Sequence, residues 1–122
     1  MRVVWARLPG DVRGATDGAT TIWIDDRLSQ AQRRVTVCHE TIHIERGIIP
    51  ADPAEESRVE RLTAQRLITT GQLVDALRWH RHGNTSALAE HLWVDACTAR
   101  TRLDTMTPDE HAEIADALRN AA

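Results

Sequence analysis

Two stretches near the N-terminus have the pattern of β-strands. Residues 3–6 are rich in β-branched and aromatic side chains and precede a Pro-Gly turn pair. Residues 20–25 alternate, so that Ile22 and Ile24 lie on one face of the predicted strand. The residues between them, 10–18, contain three Gly and two Asp. We therefore expect a loop there and a small β-hairpin that joins the two strands.

The next stretch has the spacing of an amphipathic helix. Ser29 and Gln32 match a capping box, which predicts a helix start near Gln30. Gly47 is a natural stop for this helix. Four residues recur on the predicted inner face: Ala31, Val35, Cys38 and Ile42. This face should hold the helix against the core.

A second helix is predicted to begin at Asp52. Asp is a good capping residue, Pro53 suits the first helical position, and Glu55 stands three residues after the cap. The helix should run to about Thr70, and a shorter one should follow over residues 73–79. Three more short helices are expected in the C-terminal third, with inward side chains at Leu88, Ala89, Leu92, Ala99, Leu103, Ile114 and Leu118.

These elements predict an α+β fold. A small N-terminal sheet should pack on the helix that begins near Gln30, in a core over residues 1–83. Residues 84–122 should form a helical extension that includes a helix-turn-helix-like element. The chain of 122 residues is long enough for one domain with a small appendage.

Composition and charge exclude several classes. Hydrophobic residues make up 42% and charged residues 27%, which is typical of a globular protein, and the net charge of −3 gives no electrostatic case for nucleic acid. No apolar run approaches the roughly 18 residues of a membrane span, and the N-terminus lacks a signal-peptide pattern. We expect a cytoplasmic protein in which Cys38 and Cys97 are buried, reduced thiols.

The segment that indicates chemistry is His39-Glu40-Thr41-Ile42-His43, an H-E-x-x-H motif on the first predicted helix. Residues four apart leave a helix on one side, so both imidazoles can meet one metal ion. Glu40 points about 100° away and can act as a base toward a water molecule at the metal. We expect one zinc ion per chain; two ordinary surface histidines or an inactive metal site are the alternatives.

A catalytic zinc needs a third protein ligand. The second predicted helix carries Glu56, Glu60 and Ala64 on one stripe, and a carboxylate in a buried stripe is costly unless it is paired or binds metal. Glu56 is therefore predicted as the third ligand, and Glu60 as a residue that orients a ligand histidine. The reverse assignment, with Glu60 on the metal, stays open. The position of Glu55 near the helix cap accounts for a carboxylate there without a role at the metal.

Other residues are candidates for handling substrate. His80 and His82 are possible oxyanion-stabilising groups, although two exposed histidines are the simpler interpretation. If the strand at residues 20–25 is a free edge near the metal, an extended substrate can pair with it. Thr21 and Trp23 would then flank the cleft, with Trp23 as a pocket wall; a core position is the alternative for Trp23.

The motif and the following Glu-rich helix, residues 37–47 and 55–68, resemble the ImmA/IrrE family of metallopeptidases, in a compact actinobacterial or phage form. The resemblance implies a zincin-like core over residues 1–83 and a zinc endopeptidase whose protein substrate is a DNA-binding repressor with a flexible linker. Two positions depart from the family pattern: Thr69 stands where Pro is common, and Glu60 replaces the usual Asp.

Two other classes of function compete with this one. Residues 84–106 have a helix-turn-helix-like pattern, but Arg100 and Arg102 are outnumbered by Glu90, Asp95 and Asp104, which argues against direct DNA binding. A regulatory or protein-interaction module that keeps a structural or inactive metal site is the remaining alternative.

Overall fold

The structure is a computed structural model that describes residues 1–49, 51–81 and 84–120. Over these ranges the chain forms a three-stranded sheet and six helices, which confirms the α+β class. The strands are β1 (Arg2–Ala6), β2 (Gly14–Thr16) and β3 (Thr21–Asp25). The helices are α1 (Gln30–Arg46), α2 (Pro53–Leu67), α3 (Thr70–Trp79), α4 (Thr85–Leu92), α5 (Ala96–Asp104) and α6 (Pro108–Arg119).

The residues cluster into two compact units, Met1–Thr63 and Ala64–Ala122. The division falls inside α2, and the boundary expected after residue 83 stays a prediction. The first unit contains the sheet, α1 and most of α2. In the second unit α3 packs against α4 and α6, and α4 packs against α5.

The sheet has the order β1-β3-β2, which corrects the predicted hairpin between the first and last strands. β1 pairs with β3 in parallel, with Arg2 opposite Thr21, and β2 pairs with β3 in the antiparallel sense. The hairpin is therefore β2–β3. The sequence did not predict β2 because its three residues, Gly-Ala-Thr, are too few to show alternation and begin with a strand-weakening Gly. Ile22 and Ile24 of β3 are fully buried, as expected.

The turn between β2 and β3 is organised by Asp17. Its Oδ1 accepts hydrogen bonds from the backbone N–H groups of Ala19, Thr20 and Thr21, at 2.9, 2.9 and 3.0 Å. Gly18 adopts a φ of 76°, a left-handed conformation that side chains disfavour. The three N–H groups lower the pKa of Asp17 to about 2.

Helix α1 has the predicted ends. Ser29 and Gln32 form the complete capping box, and Gly47 ends the helix in the left-handed conformation with φ 66°. The helix packs against β2 and β3. Val35 and Ile42 are buried, whereas Ala31 and Cys38 of the expected inner face are only half-buried.

Helix α2 begins as predicted, with the Asp52 carboxylate accepting from the N–H of Glu55 at 2.8 Å, but it ends at Leu67. The reason is Thr69, which caps α3 in a second full capping box with Gln72. Helix α3 accordingly starts at Thr70, earlier than expected. Thr69 is thus a helix cap.

The second unit has a charged residue in its core. Arg102 is 3% exposed; its Nε donates to the carbonyl oxygen of Ile68 at 2.8 Å, and an Nη2 hydrogen bond joins it to Glu110. Ala99 and Ile114 are buried, as expected, while Leu103 and Leu118 are half-buried.

The prediction of two buried thiols is wrong, because Cys38 is half-buried and Cys97 is exposed. Cys97 is exposed because the buried face of α5 consists of Thr98, Ala99 and Arg102. Among the described helices, no segment is both long and apolar enough to cross a membrane.

Candidate metal centre

The two histidines of α1 lie on one side of the helix with their rings in contact. The ring centroids of His39 and His43 are 4.9 Å apart, and their Nε2 atoms are 3.2 Å apart. His43 is buried and His39 is half-buried. The helical spacing thus produces the convergence that the motif predicted.

Glu56, in the first turn of α2, completes the group. One carboxylate oxygen lies 3.0 Å from Nε2 of His39, and the other lies 2.9 Å from Nε2 of His43. Over the described residues, these three side chains form the one group of three or more potential metal donors that lie within 4.8 Å of one another. Glu56, predicted from the sequence as the third ligand, is therefore the carboxylate that the fold brings to the histidines.

The three donors are nitrogen and oxygen atoms of the kinds that divalent metal ions accept as ligands. Nitrogen and oxygen ligands about 2.0–2.2 Å from a tetrahedral zinc lie about 3.3–3.6 Å from each other. The Nε2 atoms of His39 and His43, 3.2 Å apart, come close to this spacing, and Glu56 contacts the two nitrogens through different oxygens. Two imidazoles and one carboxylate also leave a fourth position open, as catalytic zinc sites do.

Glu60 does not join this group. It is exposed, one turn beyond Glu56, and this position gives no support to its predicted role in orienting a histidine. The reason lies in the stripe used to predict it. The buried side chains in this part of α2 are Glu55, Val59, Thr63 and Ala64, so Ala64 of the predicted stripe lies on the inner face, whereas Glu56 is half-buried and Glu60 is exposed.

Glu40 lies beside the histidines without joining their donor group. It is 8% exposed. Burial raises its pKa, the nearby Glu56 carboxylate adds to the rise, and His39 and His43 oppose it. A carboxyl group whose pKa is raised toward neutral pH is better matched to accepting and returning a proton.

Glu40, His43 and Glu56 open into one cleft of about 260 Å³. One wall is β2, an edge of the sheet, and the other is the connection between α1 and α2. The lining residues are Gly14, Ala15, Thr16, Glu40, His43, Ile48, Ile49, Ala51 and Glu56. Ile48 and Ile49 are large apolar side chains that are 45% and 62% exposed. The sequence analysis did not identify this wall, because two exposed isoleucines after a helix have no distinctive pattern.

The expectation that residues 20–25 form a free edge is wrong. β3 is the central strand, because it pairs with β1 on one side and with β2 on the other. β2 therefore lies between β3 and the cleft. Thr21 and Trp23, predicted to contact substrate, are half-buried on β3 and are not among the residues that line the cleft. The edge strand beside the metal donors is β2.

The histidines suggested for oxyanion stabilisation belong to a different stretch of the chain. His80 ends α3 in the second unit, where its ring meets that of His91 at 5.1 Å, and His91 contacts Asp75 at 3.0 Å. His82 lies outside the described residues. The role suggested for this pair stays a prediction.

Searches of family models, curated proteins and solved structures return no match for this chain.

Proposed function

We propose that this chain is a zinc-dependent endopeptidase, with His39, His43 and Glu56 as metal ligands and Glu40 as the catalytic base. The observation that carries the proposal is the convergence of three donor atoms and a buried carboxyl group in one cleft beside an edge strand. A peptidase needs each of these parts: a metal site, a base and a surface that holds an extended chain.

A zinc ion bound in such a site polarises the peptide carbonyl and lowers the pKa of a water molecule toward roughly 7. Glu40 would accept a proton from the water that attacks the peptide carbonyl and would then pass it to the leaving amine. Its burial beside the histidines restricts competing contacts with bulk water. Glu56 faces both histidines and is therefore assigned to the metal and not to proton transfer.

The walls of the cleft indicate how substrate binds. An extended peptide can pair with β2 through backbone hydrogen bonds, which give affinity without sequence preference. Ile48 and Ile49 then offer an apolar contact to a substrate side chain. Strand pairing requires an unstructured segment, so the substrate is a flexible region of another protein. The resemblance to the ImmA/IrrE family makes a DNA-binding repressor the first substrate to test.

The test combines metal content with cleavage. The purified chain is loaded with zinc, its zinc content is measured, and it is incubated with a candidate repressor, with and without a chelator. We expect one zinc per chain and a cut in the repressor linker that the chelator abolishes. The Glu40→Gln variant is the matched control, since it keeps the three ligands. A chain that holds zinc but cuts neither the repressor nor unstructured peptides would instead be a regulatory module with an inactive metal site.

A further inference from the structure

Arg46 and Glu55 form a two-point ion pair next to the candidate metal site. Nε of Arg46 donates to one carboxylate oxygen of Glu55 at 2.5 Å, and Nη2 donates to the other at 2.9 Å. Glu55 is 2% exposed. The pairing lowers the pKa of Glu55 and raises that of Arg46, so both groups remain charged. A bidentate pair fixes direction as well as distance.

The position of this pair in the chain links it to the metal donors. Arg46 is the last residue of α1, three residues after His43, and Glu55 directly precedes Glu56 in the first turn of α2. The connection between the two helices has no regular secondary structure in its described part, residues 47–49 and 51–52. The ion pair therefore joins the end of the histidine helix to the start of the carboxylate helix.

Glu56 needs such a constraint. Its side chain is 43% exposed, so burial does little to hold it, yet its two oxygens face both histidines. The adjacent Glu55 is almost completely buried, and this fixes the backbone from which Glu56 projects. An unconstrained glutamate loses rotamer freedom when it binds a metal, which weakens the site.

We propose that Arg46 and Glu55 are positioning residues, whose ion pair holds the first turn of α2 so that the Glu56 carboxylate faces His39 and His43. This inference rests on the proposed metal site but not on catalysis. Outer groups that orient metal ligands typically change metal affinity by about 10–100-fold when they are replaced. A merely structural pair would change stability and leave the affinity of the folded protein unaltered.

The experiment separates these two roles in the full-length chain. Zinc affinity is measured by competition with a chromophoric chelator, the visible spectrum of the cobalt-substituted protein reports ligand geometry, and thermal melting of the metal-free protein reports stability. The variants are Glu55→Gln, the double variant Arg46→Met with Glu55→Met, and Arg58→Ala. Arg58 is the matched control, because it contacts the same carboxylate at 3.6 Å but is 57% exposed.

We expect Glu55→Gln to weaken zinc binding by about tenfold or more and to alter the cobalt spectrum, with Arg58→Ala unchanged. The double methionine variant should regain stability, because apolar pairs often replace buried ion pairs without loss, yet it should still bind zinc weakly. Wild-type affinity in either Glu55 variant overturns the positioning role while leaving the metal site intact. A wild-type chain that binds no zinc overturns the proposed metal site itself, and the positioning role with it.

Discussion

Gly14 of β2 lies against Thr36 of α1 so closely that a Cβ atom at position 14 would be 2.5 Å from Cγ2 of the threonine. The same Cβ would be 3.3 Å from the backbone oxygen of Trp23 and 3.4 Å from Cγ of Glu40. The edge strand can therefore approach the motif helix only because residue 14 has no side chain.

Gly14→Ala should push β2 away from α1 and widen the cleft. We expect destabilisation of about 1–3 kcal/mol, as for other overpacked sites, and at least a tenfold loss of peptide cleavage. Thr36→Ser removes Cγ2, so the double variant Gly14→Ala with Thr36→Ser should recover part of both. Urea unfolding and peptide kinetics measure the two effects. Gly71→Ala is the control, since a Cβ there meets no atom within 4 Å.

The assignment of the third ligand predicts unequal effects of two glutamate variants on α2. Glu56→Ala removes the carboxylate of the donor group and should weaken zinc binding by about 100-fold or more. Glu60→Ala should have little effect, because Glu60 is exposed and outside the donor group. Zinc titration of both variants decides the matter. Equal losses would return Glu60 to consideration as a ligand.

Glu40→Gln should separate metal binding from catalysis. Glutamine has nearly the same volume as glutamate, so the variant should fold and bind zinc as the wild type does. It has no carboxylate to accept a proton, and cleavage should fall by about 10²–10⁴-fold. Zinc content and the rate of peptide hydrolysis are measured on the same preparation. Substantial cleavage by the metal-loaded variant would exclude Glu40 as the base.

The apolar wall of the cleft predicts a preference for substrates with a large apolar side chain. Replacing both Ile48 and Ile49 by Ser should lower kcat/KM for such peptides by about tenfold, with a smaller effect on peptides that carry Ala at the same position. Val12→Ser is the matched control, because Val12 is also exposed and does not line the cleft. If the double variant cleaves both peptide sets as the wild type does, the isoleucines do not contact substrate.

The ion pair between Arg102 and Glu110 predicts how stability depends on acid pH. The pKa of Glu110 is lowered from 4.5 to about 2, mainly by the hydrogen bond from Arg102. A hydrogen bond from the backbone N–H of Thr107 and the charge of Arg102 add to this shift, and burial opposes it. This stabilisation is complete above about pH 4.5. It is lost as the pH falls toward about 2, because the unfolded chain takes up a proton first.

Glu110→Gln should remove this contribution to the pH dependence, whose slope is at most about 1.4 kcal/mol per pH unit. It should also lower stability at pH 7 by about 3 kcal/mol, since it leaves the buried charge of Arg102 without its partner. Urea unfolding between pH 2 and 6 checks both effects. An unchanged slope in the variant would show that other carboxyl groups dominate the acid transition.

Local patterns predicted the helical part of the candidate site. The box of Ser29 and Gln32, the stop at Gly47 and the spacing of His39 and His43 all depend on residues within one or two helical turns, so the sequence displays them directly. The start of α2 at Asp52 is a local signal of the same kind. Glu56 does lie with the two histidines, although of the stripe used to choose it only Ala64 is on the buried face, and the role of Glu56 as a ligand stays a prediction.

Contacts between distant residues could not be predicted in the same way. β1 pairs with β3 in parallel, and β2, which lies between them in the chain, takes the outer position beside β3. The three residues of β2 have no pattern of their own, so the sequence did not show this arrangement. The burial of Glu55 depends on Arg46, a residue on another helix. One signal was available in the sequence, because Glu55, Val59 and Thr63 have the i, i+4, i+8 spacing of an inner face. It was missed because Glu55 was assigned to the helix cap.

The turn at Asp17 has a consequence for the order in which the sheet can assemble. The pairing of β2 with β3 closes only a few residues, and the Asp17 carboxylate satisfies three N–H groups of that turn. The pairing of β1 with β3 brings Arg2 to Thr21 and closes a much longer loop. Since closing a longer loop costs more chain entropy, the hairpin is the less expensive pairing to form. The wall of the cleft thus belongs to the most local element of the sheet, and a folding chain can make it before β1 is in place.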